Sequence, residues 1–68
     1  MSSMSELIGE YRQGQKEIRK RIQELKKQAE NETSNTKKRR LKGRIAVLYS
    51  MHNDMEKTII EMQKYTGD

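Results

Sequence analysis

Apolar residues recur at alternating steps of three and four in both halves of this chain, and that repeat admits few folds. In the first half Met4, Tyr11, Ile18 and Leu25 fill the d positions of a heptad, and Ile8, Gln15, Ile22 and Ala29 fill the a positions. In the second half Leu41, Leu48, Met55 and Met62 take d, and Ile45, His52, Ile59 and Thr66 take a. A repeat of this kind holds its residues on one stripe of an α-helix, whereas strand alternation persists nowhere. The spacing predicts a helix over about residues 5–30 with Ser5 as N-cap, and a second over about 37–65 with Gly67 as its stop. The intervening Asn31-Glu32-Thr33-Ser34-Asn35-Thr36 is polar and short-chained and reads as the connection, with Ser34 or Thr36 as the second helix's cap.

The two stripes are complementary. Folding the chain back about residue 35 sets residue i against 70 − i. Met4 then faces Thr66, Ile8 faces Met62, Tyr11 faces Ile59, and Gln15 faces Met55. Ile18 faces His52, Ile22 faces Leu48, Leu25 faces Ile45, and Ala29 faces Leu41. Every a or d position of one helix meets a d or a position of the other, and the two polar seam residues, Gln15 and His52, fall in adjacent layers. The expected fold is all-α: an antiparallel, coiled-coil-like two-helix hairpin forming a single domain.

Composition sets the next constraint. Leu, Ile, Val and Phe number 11 of 68 residues, a level at which disorder has to be considered, and the seam complementarity argues against it. With no Cys, a chain this small has no disulfide to stabilise it, and self-association is the usual route. Val47, Tyr49, Met51 and Ile60 lie off the seam of the second helix, and Leu7 off that of the first. Burying a large apolar side chain is worth roughly 1.5–3 kcal/mol, so a second copy forming a four-helix bundle is the simplest accommodation. A heterologous partner helix satisfies the same pattern, and singly scattered exposed apolar residues are the ordinary alternative. Val47, Tyr49, Met51 and Ile60 are therefore the candidate dimer or protein-binding residues.

Charge is distributed unevenly. Residues 16–44 hold 12 Lys and Arg against four acids, a net of +8, and the remainder holds three against six, a net of −3. The turn end of the hairpin is thus basic and the open end mildly acidic. Lys37, Lys38, Arg39, Arg40, Lys42 and Arg44 crowd the start of the second helix, where cations oppose the helix dipole. A phosphate backbone or an acidic protein surface would reward that placement, and a solvated face on a basic protein is the plainer reading. With only Tyr11, Tyr49 and Tyr65 as aromatics, a base-stacking platform is not expected, so DNA or RNA would be held without sequence preference.

Little points to catalysis. No nucleophile–base pair and no paired inward carboxylates occur, and no enzymatic activity, cofactor, metal or small-molecule substrate is expected. His52 reads as a seam residue with Gln15 as its candidate partner, ahead of a pH switch or a ligand role. Met51, Met55 and Met62 suit ordinary core filling or an adaptable binding surface. Gly9, Gly14 and Gly43 stand singly inside the helices, where they mark close helix contact or local flexibility. No apolar run approaches a membrane span and the first residues lack a signal-peptide pattern, so a cytoplasmic location and no membrane partner are expected.

Two segments resemble a known group. Leu7-Ile8-Gly9-Glu10-Tyr11-Arg12 and Leu48-Tyr49-Ser50-Met51-His52-Asn53-Asp54-Met55-Glu56-Lys57-Thr58-Ile59 are similar to motifs of small helical proteins in phages and prophages of Gram-positive bacteria, some of them sigma-factor-like positive-control proteins of phage transcription. Ile60-Glu61-Met62 stands where those proteins carry an acid followed by tryptophan. The resemblance spans about residues 5–65. It implies a phage or mobile-element regulator acting on host machinery.

Overall fold

The computed structural model describes residues 3–66 and consists of two antiparallel helices, α1 (Met4–Asn31) and α2 (Asn35–Thr66). They lie side by side as a rod measuring 52 × 17 × 15 Å. The heptad stripe decides which faces meet. Ile22, Leu25 and Ala29 of α1 and Ile59 and Met62 of α2 are buried, and Ile8, Tyr11, Ile18, Leu41, Ile45, Leu48, His52 and Met55 are half-buried. All are a or d residues. The contacts between helices join Arg12 and Gln15 to Glu56, Arg19 to His52, and Lys26 to Tyr49. The numbers of the first three pairs total 68 to 71, close to the fold-back register of the two stripes, and Lys26–Tyr49 reaches diagonally across it.

The ends of the elements differ from the sequence reading. The cap of α1 is Ser3, not Ser5: its side chain accepts from the Glu6 N–H at 3.1 Å, and the Leu7 N–H reaches the Ser3 carbonyl. Starting two residues earlier brings Met4 into the helix, where it remains exposed at the open end of the seam. The connection is three residues, 32–34, rather than 31–36. The Glu32 N–H closes α1 on the Ala29 carbonyl, and the Glu32 carboxylate accepts from the Ser34 N–H at 3.0 Å. Ser34 then caps α2, its hydroxyl accepting from the Lys37 N–H and its carbonyl from the Lys38 N–H. Because Ser34 and Glu32 satisfy the end groups within so few residues, Asn31, Asn35 and Thr36 are free to be helical. Gly67 and the side chain of Thr66 lie outside the described residues.

The three helical glycines have different surroundings. A Cβ at Gly14 would stand 2.7 Å from the Met55 Cε, so the glycine lets that methyl close over α1. At Gly9 a Cβ would meet nothing within 4 Å. Gly9→Ala is therefore expected to raise stability by about 1 kcal/mol from helix propensity alone, and the melting temperature by roughly 4–8 °C. Gly14→Ala should gain less than Gly9→Ala, since Met55 has to move. Paired thermal melts followed by circular dichroism check this ordering.

Candidate functional site

The seam divides the hairpin's surface into two flanks of different chemistry. One is polar and bridged. Gln15 is only 1% exposed despite its amide, whose nitrogen has two acceptors. Its Nε2 donates to Glu56 Oε1 at 2.9 Å and to the His52 carbonyl at 3.3 Å. Arg12 donates to the same Glu56 oxygen at 3.2 Å. Arg19 Nη1 lies 2.9 Å from His52 Nε2. One turn toward the loop, the Lys26 ammonium sits 5.4 Å from the centre of the Tyr49 ring, within cation–π range. The expected Gln15–His52 contact thus runs through the His52 backbone, while the ring turns to Arg19. Glu56, which the seam pattern did not single out, is the hub of the cluster.

The Glu56 carboxyl is held below its ordinary value of 4.5, chiefly by the hydrogen bond from Gln15 against a burial penalty, with the Arg12 guanidinium and His52 adding to the lowering. A carboxylate more acidic in the folded state stabilises the fold above its unfolded pKa, and that contribution is lost as pH falls through the lowered value. Unfolding midpoints should therefore drop as pH is taken below about 4.5, and the drop should be smaller in Glu56→Gln. Urea titrations at a series of acid pH values test it.

The other flank is apolar and open. By heptad position Leu7, Gly14 and Arg21 of α1 fall along it with Arg44, Val47 and Met51 of α2. Arg21, Leu25, Gly43, Arg44, Val47 and Leu48 line an open hollow of about 400 Å3 there. Val47 is 59% exposed and Met51 47%. The four candidate interface residues thus do not form one patch. Val47 and Met51 share this flank, whereas Tyr49 (44% exposed) and Ile60 (48% exposed) lie toward the bridged one.

No protein-family model matches the chain, and neither does any curated protein or solved structure.

The basic cluster wraps the first three turns of α2. Successive residues along a helix point about 100° apart, so Lys37, Lys38, Arg39, Arg40, Lys42 and Arg44 project around it rather than from one face. Among the described residues none of the six is in a salt bridge, the ion pairs being Arg12–Glu56, Arg21–Glu24 and Lys64–Glu61. The first turn of α2 holds no acid. Shallow hollows of about 250 Å3 and 230 Å3 open between these cations, the first beside Asn35 and the second beside Gln28 and Glu32. No group of three or more His, Cys, Asp or Glu able to hold a metal ion occurs among the described residues, and no helix among them is long and apolar enough to cross a membrane.

Proposed function

We propose that this chain is a small, non-enzymatic protein-interaction module that binds through the outward apolar side chains of α2. The observation that carries the reading is that Val47, Tyr49, Met51 and Ile60 stay substantially exposed once the hairpin seam is filled. Among the described residues Tyr49 has a partner in Lys26, whereas Val47, Met51 and Ile60 gain from burial only against a partner. The resemblance of residues 7–12 and 48–59 to phage positive-control proteins suggests the setting: a phage or mobile-element regulator acting on host machinery such as transcription, in the bacterial cytoplasm. The non-enzymatic part rests on the sequence, which offers no nucleophile–base pair.

The test is capture of partners from a bacterial lysate by the tagged chain, with and without nuclease, at low and high salt. The expected result is a discrete protein that survives nuclease and high salt, is lost with Ile60→Asp, and is retained when Arg39 and Arg40 become glutamine. A second reading is favoured by the unpaired cations at the start of α2: a sequence-tolerant nucleic-acid binder using Lys37, Lys38, Arg39, Arg40, Lys42 and Arg44. It predicts recovery of nucleic acid with an affinity that falls steeply with salt, at a slope of about 0.7–0.9 per phosphate contacted, and that the Arg39/Arg40 variant abolishes.

A further inference from the structure

α2 carries on its apolar flank a stripe that α1 does not cover. Stepping by three and four residues, it is basic at its start (Lys37, Arg40, Arg44), apolar at its middle (Val47, Met51) and acidic toward its end (Asp54, Glu61). We infer that this stripe docks a second copy of the chain, with the two α2 helices antiparallel about a two-fold axis at the level of residue 49. In that arrangement residue i faces 98 − i of the other copy. Val47 meets Met51, Arg44 meets Asp54, and Lys37 meets Glu61. The remaining pair is Arg40 with the Thr58 hydroxyl. A two-fold axis repeats each contact, so the surface complements itself without any residue out of place.

The groups that would pair are available. Neither the Arg44 guanidinium nor the Asp54 carboxylate has a partner among the described residues, and Glu61 makes only an exposed pair with Lys64 at 3.3 Å. The apolar centre lies beside the hollow of about 400 Å3 along Val47 and Leu48, and a methionine from the second copy is adaptable enough to enter it. A parallel pair would instead stack Arg44 on Arg44 and Lys37 on Lys37. The opposite flank lacks this charge pattern, and there Tyr49 is engaged by Lys26, and Glu56 by Gln15 and Arg12. Antiparallel pairing also brings each basic turn end toward the acidic half of the other copy's α2. The inference rests on the reading of α2 as an interaction surface and names its first occupant; Tyr49 and Ile60 stay outside the paired stripe, for a heterologous partner.

Sedimentation equilibrium of the full chain tests the pairing, and a spin label at Thr36→Cys tests its direction. The expected result is a reversible dimer whose dissociation constant rises about tenfold or more with Met51→Asp or Arg44→Asp, at unchanged helicity. Combining Arg44→Asp with Asp54→Arg should recover most of the loss. Labels at residue 36 should lie about 39 Å apart along the axis, because each stands 13 residues from the centre at about 1.5 Å per residue. A monomer at every concentration, a dimer indifferent to the charge reversal, or labels side by side would overturn the inference. If the chain stays monomeric while Ile60→Asp still abolishes capture of a lysate protein, the pairing fails and the interaction module stands. A dimer that captures no other protein supports the pairing and removes the heterologous partner.

Discussion

Ile59→Ala is expected to destabilise the hairpin by about 2–5 kcal/mol, enough to leave much of the chain unfolded at room temperature. Ile59 has 0% of its surface exposed, the lowest value among the described residues, and it sits at an a position facing the half-buried Tyr11. Truncation removes the transfer energy of its side chain and leaves a cavity that two long helices can close only by shifting along their whole contact. The slightly better helix propensity of Ala offsets only a few tenths of a kcal/mol. The loss is large relative to the whole, since a chain of this length holds on the order of 3–10 kcal/mol, and among the described residues only Ile22, Leu25, Ala29 and Met62 share the buried apolar seam with Ile59. Val47→Ala is the control. Val47 is more than half exposed, so in dilute solution its truncation should move stability by less than about 0.5 kcal/mol. Urea denaturation of the two variants side by side measures the contrast. Equal midpoints would mean that the a/d seam is not what holds the helices together.

The seam was legible because a four-three repeat is long-range information written locally. Each stripe identifies a helix by itself, and the match of Ile22 with Leu48 and Leu25 with Ile45 gives direction and, with the short turn, register. The ends were less legible. Ser3 and Ser5 are chemically equal candidates for the cap of α1, and the choice depends on whether Met4 joins the helix, which the stripe does not weigh. Likewise Asn31, Asn35 and Thr36 are turn-prone by composition, yet Glu32 and Ser34 close the connection so tightly that all three are drawn into helices.

Site chemistry was legible in kind and not in arrangement. The exposed apolar residues of α2 were identifiable as those left over from the stripe, but counting them as one patch ignored that c and g positions face one flank while b and e positions face the other. Glu56 was missed for a related reason. It sits at an e position, where a charged residue is ordinary, and only the cross-helix register shows that it falls opposite both Arg12 and Gln15. The unpaired state of Lys37 to Arg44 agrees with the scarcity of acids nearby, since Glu32, at the turn, is spent on the loop.

Gln15→Leu is expected to raise the stability of the hairpin by about 1–2 kcal/mol while weakening its specification. Gln15 is a polar amide almost wholly removed from water, and its hydrogen bonds to Glu56 and the His52 carbonyl recover what burial takes away without much surplus. Leucine fits the same a position and contributes apolar burial to the layer it shares with Met55, between those of Tyr11 and Ile18. Glu56 keeps Arg12 and water, so no buried charge is stranded. What disappears is the one buried polar side chain among the described residues that ties α1 to a particular level of α2 from inside the seam. With leucine there, a slip of one heptad meets no buried polar group, and alternative pairings between copies become comparable in energy. The variant should melt higher and should also lose part of the acid sensitivity conferred by Glu56, because the largest cause of that carboxyl's lowering is the Gln15 amide. Its amide spectrum should show more than one set of resonances, or its sedimentation more than one species. A variant that is more stable and still uniquely folded would show that register is set by the apolar stripe alone. A variant less stable than the parent would mean that the Gln15–Glu56 bond contributes more than a buried leucine.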